Sequence, residues 1–160
     1  MKFPLNARPV SPAFLKYFLL VLVIACVGVF VWSKFYTTTM VRMGGEEFVA
    51  RVADTEQKRA TGLSGSQPLE RTEAMLFVFH ATDQHVFWMK GLTYPLDVIW
   101  ILNGQIVDIA PRVPPPPVET LDRDLPRYAP RLPVDRVLEV AAGTADRLGL
   151  RIGDQVQITR

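Results

Sequence analysis

The 160-residue chain has a single cysteine, Cys26, and only two histidines, His80 and His85. One thiol allows no intramolecular disulfide, so cysteine usage does not identify a redox compartment. There is no Cys-x-x-Cys pair, no glycine-rich phosphate loop after a strand and no internal repeat. The two histidines are five positions apart, which suits neither one face of a helix nor one face of a strand. No third strong ligand stands at a suggestive spacing, so neither a metal nor another cofactor is expected. Ser64 lies in LSGSQP, where a nucleophile elbow would need glycine at position 66 and Ser66 stands instead. A turn serine is the plainer reading. Residues 1–43 also lack any acid: Lys2, Arg8, Lys16, Lys34 and Arg42 are unopposed, whereas the remaining 13 Lys/Arg face all 16 Asp/Glu. A nucleic-acid binder keeps its basic surplus on the folded domain. Here the surplus flanks an apolar segment instead, so a nucleic-acid partner is not expected.

That segment, Tyr17 to Ser33, is an uncharged run bracketed by Lys16 and Lys34. Its length is at the short end of what crosses a bilayer as a helix. Tyr17 and Trp32 stand where interfacial aromatics belong, and the lysines can extend to the headgroups. The basic residues before it favour a cytoplasmic amino terminus (residues 1–16), an anchor over 17–33 and a tether over 34–45. The domain from 46 to 160 would then lie on the periplasmic or extracytoplasmic side of the inner membrane. A cleaved signal peptide is an alternative, but the far end (Phe30, Val31, Trp32) is bulky where small residues would be wanted. Val23-Ile24-Ala25-Cys26 resembles a lipobox, although the residues after Cys26 are apolar rather than a polar tether.

The rest of the chain is organised around Phe87 to Pro111. Val86 to Lys90 alternates, placing Val86, Trp88 and Lys90 on one face and Phe87 and Met89 on the other. Gly91 to Pro95 reverses the chain. Val98 to Leu102 is apolar on both faces, the pattern of a strand covered on both sides. Asn103-Gly104 suits a type I′ turn, because both residues tolerate positive φ. Ile106 to Ala110 is the return strand. Before this hairpin, Glu47 to Ala53 alternates as a strand. Asp54 or Thr55 can cap a short helix to about Thr61, stopped by Gly62, and Ala74 to Phe79 reads as a buried strand. After it, Arg112 to Pro133 holds seven prolines and no apolar period, the mark of a long surface excursion or lid. Val134 to Ala141 is a strand, Ala145 to Leu148 a short helix ended by Gly149, and Gln155 to Thr159 a closing strand. The expectation is a mainly β, compact antiparallel sandwich or barrel of about seven short strands with two short helices, preceded by one transmembrane helix.

Several of these stretches carry a resemblance. Arg59-x-x-Gly62-Leu63, Met75-Leu76-Phe77-x-Phe79, Phe87-Trp88-Met89-Lys90, Pro95-Leu96-Asp97 and Gly149-x-x-x-Gly153-Asp154 together resemble the domain-of-unknown-function 192 family. The resemblance runs from about Phe48 to Arg160. It implies a compact β-rich fold, common in prokaryotes and often found behind a signal or anchor, and no established activity. Two departures stand out. Gly91-Leu92 follows Lys90 where many members have Asn-Thr, and the proline-rich loop lacks the cysteine pair many relatives carry.

The candidate ligand-binding residues are Arg59, Trp88, Lys90, Asp97, Asp54 and Asp108. Lys90 and Asp97 flank one reversal, so their side chains are expected to meet, with Trp88 as an aromatic wall and the proline-rich loop as a lid. The plainer alternative is a salt bridge that pins the turn, with Trp88 in the core. The favoured expectation is a membrane-anchored envelope module binding a small polar or sugar-like ligand, or assisting an envelope protein partner. A hydrolase using Lys90 with Asp97 or Asp108 is an alternative lacking a recognisable nucleophile and base. A third reading presents Pro114 to Pro117 to a partner groove.

Overall fold

The computed structural model describes residues 16–24 and 36–159. The chain divides into two compact units, residues 1–35 and 36–160. In the first, residues 16–24 are helical. Residues 25–33 of the expected anchor, Cys26 included, lie outside the described residues. Among the described residues no helix is long and apolar enough to cross a membrane.

The second unit is one seven-stranded sheet in the order β5-β4-β6-β3-β2-β1-β7. Its strands are β1 (Thr38–Met43), β2 (Glu46–Ala53), β3 (Glu73–Asp83), β4 (Leu96–Leu102), β5 (Gln105–Val113), β6 (Val134–Ala141) and β7 (Gln157–Thr159). Two short helices, α1 (Glu56–Thr61) and α2 (Thr144–Leu148), and a single 3-10 turn at Asp122–Asp124 interrupt them. The strand count matches the expectation, but two assignments change. Thr38–Met43, read as tether, is a strand. Gly44 and Gly45, at φ 55° and 79°, turn it back onto β2, and Val41 and Met43 alternate into the core. Val86–Lys90, read as a strand, makes only one bridge, Phe87 to Tyr128. Its alternation is nevertheless correct, with Met89 buried and Val86, Trp88 and Lys90 exposed.

The sheet is also not wholly antiparallel. β2 and β3 run parallel, from Val49 opposite Glu73 to Ala53 opposite Phe77. A parallel pair needs a crossover, and residues 54–72, carrying α1, supply it. Thr55 caps that helix by accepting the Lys58 N–H at 3.2 Å, a contact worth about 1 kcal/mol, and Gly62 at φ 49° ends it. Between β4 and β5, Asn103 and Gly104 sit at φ 51° and 78°, the type I′ geometry their sequence implied.

The sheet curls into a half-barrel rather than folding into two stacked layers. β7 pairs with β1 at one edge, while the residues just before β7 bond to the opposite edge. Ile106 N–H donates to the Asp154 carbonyl at 2.9 Å, and Val156 N–H to the Gly104 carbonyl at 2.8 Å. One short C-terminal segment thus holds both edges, which shields them from further strand pairing.

Curling leaves two apolar layers. One unites Val41, Phe48, Leu76, Ile99, Ile106, Leu138 and Val156, drawn from both edges, and so fills the inside of the curl. The other gathers Met75, Phe77, Met89, Leu92, Tyr94, Leu96, Val98, Trp100 and Val137 on the opposite face. There the covering comes from irregular segments, including the Met89–Tyr94 reversal. β4 supplies both layers, so its continuous apolar run has the physical cause expected of it.

Candidate ligand-binding site

Lys90 and Asp97 do not meet, because they belong to opposite faces of the sheet. Asp97 shares its side of β4 with Ile99, toward the inside of the curl and α2, whereas Lys90 follows Met89 over the outer layer. Asp97 is fully buried, and its carboxylate accepts three backbone N–H groups. Oδ1 takes those of Arg112 (2.8 Å) and Gly143 (3.0 Å), and Oδ2 that of Ala145 (2.7 Å). Arg112 and Gly143 have φ of 49° and 85°, and the β4–β5 register shifts between Leu96 and Val98, so strand pairing leaves these donors free. Asp97 is therefore the clasp between a β-bulge, a left-handed turn and the start of α2.

Asp108 is a second clasp. Oδ2 accepts the backbone N–H of Arg131 (2.9 Å) and its Nε (3.1 Å), and Oδ1 accepts its Nη2 (2.8 Å). The side-chain bonds of Arg131 outweigh burial and hold the Asp108 carboxyl below its ordinary range. This pair ties the far end of the proline-rich loop to β5. That loop is further held by paired backbone bonds between Phe87 and Tyr128, both 2.8 Å, and by buried Leu125.

Asp54 and Arg59 also have local duties. Lys58 Nζ lies 3.0 Å from Asp54 Oδ1 and lowers that carboxyl's pKa by its hydrogen bond. Arg59 Nη1 donates to the carbonyls of Asp54 and Val78, each at 2.9 Å, and its guanidinium lies 5.2 Å from the Phe79 ring centre. It thereby joins α1 to β3 where the β3–β6 register breaks after Val78. His85 stacks on Phe79 at 3.5 Å, while His80 is exposed. Among the described residues no three His, Cys, Asp or Glu side chains gather as a metal site would require.

Trp88 and Lys90 remain at the surface, where they meet the loop. Trp88 is 38% exposed, with Arg127 4.9 Å and Lys90 5.7 Å from its ring centre. Lys90 Nζ pairs with Asp122. Arg127 makes no ion pair among the described residues. The reversal that presents Lys90 rests on Gly91, at φ 68°. A Cβ there would start 2.1 Å from the Ser64 hydroxyl, and the Gly91 carbonyl accepts the Gly65 N–H at 2.9 Å. This is why glycine follows Lys90, and it gives Ser64 a packing role.

Two polar groups escaped the sequence reading. Glu139 in β6 is 3% exposed, its carboxyl makes no hydrogen bond or ion pair among the described residues, and burial raises its pKa to about 8. Trp100 in β4 is 2% exposed, and its Nε1–H has no hydrogen-bond partner among the described residues. The available signal was an acid between Leu138 and Val140 at the same strand parity as Val137. The indole N–H was hidden in an otherwise apolar strand.

A family described as an uncharacterized ACR, DUF192, matches residues 39–158. The chain belongs to the DUF192 family. It is also similar to two solved structures. One, from Sinorhizobium meliloti and described as a candidate transcription regulator, is 30% identical with a TM-score of 0.68, over 77% of this chain and 95% of that one. The other, from Novosphingobium aromaticivorans and of unknown function, is 29% identical with a TM-score of 0.65, over 76% of this chain and 84% of that one. No curated protein matches. The membership accords with the motif positions. Arg59 and Gly62 build the α1 crossover, Trp88 to Lys90 form the covering segment, and Asp97 is the clasp of this DUF192 domain.

Proposed function

We propose that this DUF192 domain is a small-ligand-binding module tethered to the inner membrane, facing the extracytoplasmic side and taking its ligand at the Trp88 face. The observation that carries the reading is the grouping of a half-exposed indole with two cations, one of which, Arg127, has no acidic partner among the described residues. An exposed aromatic plane favours the apolar face of a sugar ring, and a free guanidinium favours a carboxylate. Trp88 and Arg127 come from two segments joined by the Phe87–Tyr128 bonds, so they are held at one spacing before any ligand arrives. A hydrolase built on Lys90 with Asp97 or Asp108 draws no support, because backbone N–H groups occupy Asp97 and Arg131 occupies Asp108.

Titration of the full chain in mild detergent with galacturonate tests this site. Saturable binding is expected, weakened at least ~10-fold by Trp88→Ala or Arg127→Ala, a loss of about 1.4 kcal/mol. Galactose, which lacks the carboxylate, should bind more weakly. Binding that both variants retain, or none at all, would remove the proposal and leave exposed Pro114, Pro117 and Val118 as the surface to test for a protein partner.

The tether is supported by the uncharged run from Tyr17 to Ser33 and the unopposed basic residues before it. The full chain is expected to stay in the membrane fraction after alkaline carbonate washing. Release into the supernatant would refute the anchor.

A further inference from the structure

Independently of the Trp88 face, we propose that Glu139 and Trp100 form an internal binding site for a small primary or cyclic amide. The argument begins with strand register. Val98 stands opposite Glu139 and Trp100 opposite Val137, so Glu139 and Trp100 are diagonal neighbours on adjacent strands. Val98, Trp100 and Val137 all belong to the outer layer, so strand alternation points Glu139 to that same face. Diagonal neighbours lie about 7–8 Å apart, within reach of an aromatic and a long side chain.

Neither group finds a partner among the described residues. The buried indole Nε1–H has no acceptor there, and Glu139, 3% exposed, makes no hydrogen bond or ion pair among the described residues. Native folds pair almost every buried polar group, so an orphaned indole N–H beside an unbonded carboxyl on adjacent strands points to a partner. Burial keeps Glu139 protonated at neutral pH, which makes it both a donor and an acceptor.

The complement of this set is specific. An indole N–H and a carboxylic O–H call for two acceptor lone pairs, and the carboxyl oxygen calls for one donor. A single amide supplies all three. Its carbonyl oxygen accepts from both Trp100 and Glu139, and its N–H donates to Glu139. A carboxylate would bring an unbalanced charge into an apolar layer, and an ammonium would leave the indole unanswered. The covering reversal is compatible with entry. Met89, Leu92 and Tyr94 close the layer from an irregular segment, and Met89 is an adaptable neighbour.

The chain has three tryptophans, so the indole region of a 15N–1H spectrum is readable once Trp32→Phe and Trp88→Phe assign the Trp100 peak. The probes are acetamide and benzamide, with toluene as an apolar control. The proposal expects a saturable shift of the Trp100 peak with an amide and none with toluene. It also expects loss of that shift in Glu139→Leu and its partial retention in Glu139→Gln, which keeps a donor and an acceptor. Three results would each overturn it: an unmoved Trp100 peak at millimolar amide, as a bridging water alone would leave it; an equal response to toluene; or undiminished binding in Glu139→Leu. If Glu139→Leu does not fold, the comparison of amide with toluene in the natural protein and in Glu139→Gln decides.

Discussion

Replacing Asp97 by alanine is expected to destabilise the domain by about 3–5 kcal/mol, the largest effect of any single substitution considered. The carboxylate is fully buried and answers the N–H groups of Arg112, Gly143 and Ala145. Each buried donor left without an acceptor costs about 1–3 kcal/mol. No neighbouring side chain can replace three bonds directed from three segments. Asp97→Asn, of the same shape, should still lose a large part of that stability. One of its two positions becomes an NH2 group facing a donor. Urea unfolding of the full chain measures this, and a fall in Tm on the order of 10 °C should accompany it. A loss below about 1 kcal/mol would show that Asp97 is not the clasp described. The result bears on function, because a motif aspartate that resembles a catalytic acid is then explained by folding.

The second large effect concerns pH. In the folded protein Glu139 titrates near 8, against an ordinary value of 4.5, and the cause is burial. Because the folded pKa is raised, the folded state holds a proton that the unfolded chain releases. The contribution of this group to stability is therefore fullest below about pH 4.5 and declines through the window up to pH 8. The decline is about 1.4 kcal/mol per pH unit. Glu139→Gln cannot ionise and should abolish the slope. Relative to the natural protein, the variant is expected to gain about 4 kcal/mol between pH 5 and pH 8. Asp54 and Asp108 act in the opposite sense. Their lowered values lend stability that is lost only as pH falls through the acidic range. The difference between variant and natural protein at each pH isolates Glu139 from them. Parallel pH profiles for the two proteins would mean that Glu139 ionises without hindrance and is not desolvated as described.

Both residues show how chemistry and fold interlock here. Asp97 and Glu139 stand on adjacent central strands, yet opposite the two faces of one sheet. One is saturated by backbone donors, and the other makes no hydrogen bond or ion pair among the described residues. The family motif thus mixes folding roles (Arg59, Gly62, Asp97) with surface chemistry (Trp88, Lys90), and only geometry separates them.

Much of this was legible in the sequence, wherever the cause is local. Asn103-Gly104 implied its turn because both residues tolerate positive φ, and Val98 to Leu102 implied a doubly covered strand because no polar face interrupts it. Asp54 or Thr55, with Gly62, bounded α1 by capping chemistry, the structure selecting Thr55, and the alternation of Val86 to Lys90 assigned its faces correctly even though no ladder formed. The motifs from Arg59 to Asp154 pointed to the DUF192 family. Gly44-Gly45 carried a turn signal of equal strength, and with it Thr38–Met43 could have been read as a strand. Tertiary structure decided what depends on distant partners. The parallel pairing of β2 with β3 and the closing of both edges by residues 153–156 are long-range hydrogen bonds that no local pattern encodes. The separation of Lys90 from Asp97 follows from the sheet standing between them. Whether a carboxyl is bonded to backbone, paired with Arg131 or left alone is set by which segments converge on it. That convergence is a property of the folded chain, and it distinguishes Asp97, Asp108 and Glu139 although their side chains are alike.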